Sequence, residues 1–280
     1  MVVNPSIIFN YSPLLVTIFP FCFGTLYAYY RYETISISNS VLFLLGIIII
    51  QLLKSLLNKP DYSHVSHQYL KNQFYTFMLI MFLLVLFRLV YQTNLTVLIL
   101  VGLTLLFHSF YWTAPSKRFT PLLVGIGSGI FLTILTVYLH LYAFEDFSFS
   151  LSQSPLDTYI TLSNVLSLVT VSIPLMASTT NLYFSKLLKA QAFDSLTFEN
   201  NILISFALFI IGYAAIILGM INQSLPMQCI LMSLTIYPII KNMIVFSKDP
   251  HGKTSLIRIN FLLFNTAYSL CLVIAIFLRS

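Results

Sequence analysis

Residues 56–72 read LLNKPDYSHVSHQYLKN. Lys59, Asp61, His64, His67, Gln68 and Lys71 crowd into this one polar island, and the chain on either side is almost wholly apolar: VLFLLGIIIIQLL (41–53) runs up to it and MLIMFLLVLFRLV (78–90) follows. A membrane crossing needs about 20 mostly apolar residues. An island between two such runs therefore reads as the connection of a membrane hairpin. The whole chain obeys the same logic: its 280 residues are 58% hydrophobic and only 8% charged, against roughly 25% charged in a soluble domain. The fold class expected is an all-α integral membrane protein.

Working outward, candidate spans fall at 12–30, 37–57, 72–91, 95–113, 119–143, 157–184, 199–221, 225–246 and 256–278. That predicts about nine transmembrane helices. Lys54 at the end of the second must snorkel toward the headgroups. Pro20, Pro174 and Pro238 fall inside spans, where neighbouring helices take up the carbonyls that proline leaves unpaired. The start of the chain, MVVNPSIIFNYSPLL, has neither a basic leader nor a small-residue cleavage pattern, so the first run is expected to be a retained span. Residues 1–280 are expected to form a single membrane domain. Its two topologically similar halves are approximately 1–113 and 119–246, followed by a ninth span at 256–278.

Charge sets the expected orientation. The connections after spans 2, 4, 6 and 8 hold Lys54, Lys59 and Lys71; Lys117 and Arg118; Lys186 and Lys189; and Lys241, Lys248, Lys253 and Arg258. Only Arg31, Arg88 and Arg279 remain for the other side. The side rich in Lys and Arg faces the cytoplasm. The N-terminus is then inside and the C-terminus outside, with Glu145, Asp146 and Asp157 on the outer side. The net charge of +6 is dispersed over span ends, so it signals topology rather than nucleic acid.

Other features point to packing. Cys22, Cys229 and Cys271 lie in apolar runs and share no metal-ligand spacing. His108 and His140 fall within spans, where interhelical hydrogen bonding is the expected role, with Asn164 and Gln223 as similar candidates. The sequons at Asn10, Asn94 and Asn222 carry little information. There is no Walker A loop, HExxH or G-x-S-x-G, and the spans lack the buried charge pairs of ion-coupled transporters.

Four phrases give the chain a resemblance: SPLLVTIFPFCFGTLYAYY (12–30), FYWTAPSKRF (110–119), LLVGIGSGIFLTILTVYLHL (122–141) and LVTVSIPLMASTTNLYF (168–184). With nine spans and long cytoplasmic connections after spans 2 and 6, the chain resembles the UbiA superfamily of intramembrane prenyltransferases over essentially its full length. The resemblance implies a helical bundle around a central cavity that opens to the cytoplasmic side. Such a cavity takes an isoprenyl diphosphate and an aromatic or lipid acceptor. Family members hold Mg²⁺ in two Asp-rich motifs, one after span 2 and one after span 6, and the metal neutralises the departing diphosphate.

This sequence departs from that pattern. Laying the first motif on KPDYSHVSHQY keeps Asp61 but puts His64 and Gln68 where later carboxylates belong, although offsets of 0, 3 and 7 still share a helix face. In the second motif, setting Asn181 at the first Asp puts Phe184 and Leu188 at the later acidic positions, and setting Asn181 at the motif's own Asn puts Leu182, Ser185 and Lys189 there; no carboxylate occurs from 158 to 193. Asp61, His64 and His67 are weak candidates for a transition metal. Lys54, Lys59, Lys71, Lys117, Arg118 and Lys186 are candidates for a phosphate or lipid headgroup, since cations bind phosphate without a metal.

Losing a metal clamp forfeits several kcal/mol of charge stabilisation. The favoured expectation is a UbiA-like protein without catalysis that binds an isoprenoid, a quinone or another membrane lipid, as a partner subunit of a larger assembly in one version. It carries no cofactor and resides in a bacterial cytoplasmic membrane. The alternatives are a divergent prenyltransferase that uses Mg²⁺, with Asp194 or Glu199 as replacement carboxylates, and a membrane scaffold or transporter.

Overall fold

The structure is a computed structural model that describes residues 11–57, 65–92, 96–113, 120–141, 162–190, 195–249 and 253–279. Among these residues there is no strand. They form nine helical rods: α1 Tyr11–Tyr32, α2 Ile37–Leu57, α3 Val65–Gln92, α4 Thr96–Thr113, α5 Thr120–Leu141, α6 Leu162–Ala190, α7 Ser195–Ile221, α8 Met227–Lys248 and α9 Thr254–Arg279. Within the described residues six stretches are long and apolar enough to cross a bilayer: Asn72–Tyr91, Thr120–Leu141, Val165–Phe184, Ile202–Ile221, Met227–Lys248 and Ser255–Arg279. Ile37–Ile50 and Leu98–Phe107 are apolar but shorter. At about 1.5 Å per residue, a rod of 20 residues matches the hydrocarbon thickness.

Two rods are not plain α-helices. In α5 the segment Ile126–Phe131 is π-helical. In α8 the first nine residues, Met227–Thr235, wind as a 3₁₀-helix and the α-helix proper begins at Ile236, two residues before Pro238. The helix of the third predicted span also starts earlier than its apolar run. It begins at Val65 and takes His67, Gln68 and Lys71 into its first two turns.

Small residues bring the central rods together. A side-chain carbon on Gly24 of α1 would lie 2.8 Å from Thr136 Cβ of α5, and one on Gly125 would lie 2.9 Å from Met176 O of α6. Gly129, four residues on, is closer still to the α6 main chain. This is the small-xxx-small seam of membrane bundles, where close backbone approach replaces the hydrophobic driving force that lipid removes. Rods α1, α5, α6 and α9 form the centre, with α7 and α8 on one flank and α2, α3 and α4 on the other. Phe23 of α1 stacks on Tyr268 of α9 at 4.3 Å, and the Tyr268 hydroxyl donates to Val171 O at 2.9 Å in the turn that Pro174 interrupts on α6.

Contacts fix the relative directions. The C-terminal ends of α1, α5 and α9 meet at one end of the bundle: Arg279 donates to Tyr30 O at 2.9 Å, and the Ser36 amide just past α1 donates to His140 Nδ1 at 3.2 Å. At the other end the start of α5 lies on the C-terminal half of α6, and Asn181 of α6 meets Ser205 of α7. This second end carries Lys54, Lys71, Lys186, Lys189, Lys248 and Arg258 on its helix termini and Lys253 just before α9, with Lys241 two turns inside α8. The first end holds Arg31, Arg88 and Arg279.

Candidate functional site

An apolar cavity of about 70 Å³ lies between the α2–α3 pair and the rods α1, α4 and α5. Phe43, Gly46, Ile47 and Ile50 of α2 and Phe82, Val85 and Leu89 of α3 line it on one side, and Leu105 and Leu135 line it from α4 and α5. Thr17 and Thr104 are its polar lining residues, and the Thr104 hydroxyl donates to Leu100 O within its own helix at 2.8 Å. The cavity exists because α2 presents a glycine where its neighbours present large side chains. A carbon added at Gly46 would meet only Val85 Cγ1, at an ordinary 3.6 Å. The cavity thus sits between the α2–α3–α4 flank and the central rods α1 and α5.

None of the described sequence-predicted residues lines this cavity. Lys59, Asp61, His64, Lys117 and Arg118 fall outside the described residues. The backbone places Lys54 in the last turn of α2, His67, Gln68 and Lys71 at the start of α3, and Ser185, Lys186 and Lys189 in the last turns of α6. Gln68 and Phe82 are 14 residues apart on α3, or about 21 Å at 1.5 Å per residue. On α2 the basic end and the cavity are closer: Ile50 lines the cavity, and Lys54 follows four residues later in the same helix, about 6 Å along its axis.

Asn181 is the one motif position whose side chain is described, and it is fully engaged. It is buried, its amide nitrogen donates to Ser205 O at 3.1 Å, and its Oδ1 accepts from Ser205 Oγ in a short hydrogen bond. Donor and acceptor ends of the amide both close on α7, so Asn181 acts as a staple between α6 and α7. Nearby, Ser178 Oγ donates to Asn265 Oδ1 at 3.1 Å and Asn242 Nδ2 donates to Asn260 Oδ1 at 2.8 Å. Asn265 Nδ2 returns to Phe261 O at 2.7 Å. These amides form a neutral polar layer joining α6, α7, α8 and α9. Buried polar groups need partners, and here they supply one another. Asn260 and Asn265 were absent from the sequence-level candidates. Their signal was two amides inside the apolar run INFLLFNTAYSL (259–270).

His140 is likewise a packing residue. Its Nδ1 accepts from the Ser36 amide, so the ring carries its hydrogen on Nε2 and donates to Thr25 Oγ1 at 2.9 Å. Ser36 in turn caps α2 by accepting from the Asn39 amide at 3.3 Å, and Asn39 Nδ2 donates to Leu139 O at 2.8 Å. The imidazole thereby occupies the place that Glu or Gln takes in a capping box, but reaches it from another helix. The His108 and Asn164 side chains lie outside the described residues. Gln223 ends α7 in a left-handed conformation with φ 55°, with Ser224 N donating to Gly219 O at 2.8 Å and Gln223 N to Met220 O at 3.1 Å. Its role is that of a Schellman C-cap.

Comparisons with protein families, with curated proteins and with solved structures return no match to this chain.

Proposed function

We propose that this protein is a lipid-binding member of the UbiA-like class without prenyl-transfer activity. On this reading all nine rods cross a bacterial cytoplasmic membrane, with the basic end inside. The observation that carries the reading is the apolar cavity between α2–α3 and α1, α4 and α5. It offers a lipid chain a dry pocket in a place where membrane proteins otherwise pack side chain against side chain. The lipid's polar head, an isoprenoid phosphate or quinone among the candidates, sits at the basic end, where Lys54, about one helical turn beyond the lining residue Ile50, and Lys71 and Lys186 are the cations on helix termini. Asn181 supports the absence of transfer chemistry. In the frame that sets it at the motif's first Asp, it is committed to holding two helices together.

The test is binding of radiolabelled farnesyl diphosphate to purified protein in phosphatidylcholine nanodiscs, with and without Mg²⁺, following pyrophosphate release in the same samples. Metal-independent binding without release is expected. Gly46→Leu fills the cavity and should weaken binding by about two orders of magnitude, because three or four carbons at about 0.8 kcal/mol each lose their site. Mg²⁺-dependent binding with release would instead establish a divergent transferase. No binding of any isoprenoid would favour a scaffold or transporter.

A further inference from the structure

The three cysteines are scattered along the sequence, and the fold brings two of them together. Cys229 lies in the first turn of α8 and Cys271 about two turns before the end of α9. Both are buried, and their thiols share a hydrogen bond. A main-chain hydrogen bond at Met232 also reaches the Cys271 sulfur, so Cys271 rests directly on the start of α8. The 3₁₀ winding of that start is what aims Cys229. With three residues per turn, side chains three apart eclipse one another, and the buried residues of Met227–Thr235 are Cys229, Met232 and Thr235. At 3.6 residues per turn the same three would spread over about 120°. Thr235, at the far end of this row, is pinned by a hydrogen bond of 2.5 Å to the Tyr213 hydroxyl of α7. A 3₁₀ run longer than 3–4 residues is uncommon, and this one holds a thiol against a thiol.

The surroundings favour a covalent pair over a metal site. No third Cys, His or carboxylate joins the two among the described residues. Two thiolates would bring uncompensated charge into this apolar core, whereas a dithiol and a disulfide are both neutral there. We infer that Cys229 and Cys271 are a redox pair, joined by an intramolecular disulfide that clamps the 3₁₀ start of α8 to α9. The oxidant is a small disulfide of the surrounding compartment. One cysteine, as its thiolate, attacks a sulfur of that disulfide and releases one thiol; the second cysteine then displaces the other half. Two protein S–H bonds are thereby exchanged for one S–S bond, and the oxidant leaves as two thiols that carry the two protons. Met227, Ile230 and Leu231 beside Cys229 are exposed, so fraying of the first turn of α8 uncovers the thiol. The pair lies toward the end of the bundle that holds Arg31, Arg88 and Arg279, which the orientation proposed above puts outside, where disulfides persist. The pairing itself rests on α8 and α9 and not on the lipid-binding reading.

The test uses the full chain in a Cys22→Ser background, since Cys22 is exposed, purified under reduction into phosphatidylcholine nanodiscs. Bis(2-hydroxyethyl) disulfide is added either to the finished nanodiscs or during reassembly from dodecyl sulfate. The protein is then unfolded with N-ethylmaleimide present and its intact mass measured. The reduced pair takes up two maleimides; the disulfide takes up none and is lighter by two hydrogens. The disulfide is expected in most molecules of at least one arm. It should shift the unfolding equilibrium in dodecyl sulfate about tenfold or more toward the folded form, because it closes a long loop in the unfolded chain, and dithiothreitol should reverse the shift. Cys229→Ser and Cys271→Ser, which cannot close the bond, should gain nothing from the reagent. Two maleimides retained in both arms, or capture that stops at mixed disulfides with the reagent, overturns the proposal. So does a disulfide that leaves the equilibrium unchanged or moves it toward the unfolded form, because the folded bundle would then not hold the two sulfurs together.

Discussion

Replacing Gly129 by alanine is the sharpest test of how the centre of the bundle is built. The added methyl would lie within 3 Å of three main-chain atoms of α6: Met176 N, Met176 Cα and Leu175 C. Non-bonded carbons rest about 3.5–4.0 Å apart, so the seam must open by about 1 Å. No rotamer change relieves it, since the obstacles are backbone. A gap of that size costs up to half the attraction of each atom pair, at about 0.1–0.2 kcal/mol per pair. If the seam holds on the order of 40 pairs, as one buried Leu does, the loss is about 2–3 kcal/mol. That falls within the range for overpacked cores. The assay is equilibrium unfolding in mixed micelles titrated with dodecyl sulfate, followed by circular dichroism. Gly102→Ala is the counter-case: nothing lies within 4 Å of a carbon there, and helix propensity should leave stability unchanged or raised by up to about 1 kcal/mol. If Gly129→Ala stays within about 0.5 kcal/mol of the parent, the close approach of α5 to α6 is refuted.

Asn181→Ala and Ser205→Ala should each destabilise, and their double-mutant cycle should show a coupling of about 0.6–1.7 kcal/mol; additive effects in the same titration would show that the pair does not work as a unit. Gln223→Gly removes a side chain from a left-handed residue and should raise stability by about 0.5–1 kcal/mol, read as a higher dodecyl sulfate midpoint. A lower midpoint would show that the glutamine side chain has a function of its own. Arg279→Ala breaks an ion pair with Glu33 whose partners are 59% and 72% exposed, so a loss below about 0.5 kcal/mol is expected. A larger loss in thermal half-life would assign the difference to the hydrogen bond on Tyr30 O.

The rods were legible in the sequence because apolar length alone sets them. The predicted run 37–57 coincides with Ile37–Leu57, and 95–113 with Thr96–Thr113 to within a residue. Where prediction and structure differ, polar residues are the reason. Val65–Gln92 begins seven residues before its apolar run, since His67, Gln68 and Lys71 are acceptable helix formers that hydropathy counts against a span. The site was less legible. Asn181 was visible as a replaced motif position, but its tie to Ser205 depends on how α6 and α7 rotate against one another. The cavity is invisible in one dimension, because Gly46 differs from other glycines only in what stands opposite it. The π-helical turn in α5 and the long 3₁₀ start of α8 have no period in the sequence that separates them from α-helix.

The meeting of α1 and α9 has a consequence for biosynthesis. Arg279 and Tyr30, 249 residues apart, are neighbours in the finished bundle, and the Phe23–Tyr268 stack joins the same two rods. At about 5–20 residues per second a ribosome needs roughly 12–50 seconds to cover that interval. Throughout it the surface of α1 that meets α9 lacks its partner. A factor that shelters this surface during synthesis should therefore raise the yield of folded protein.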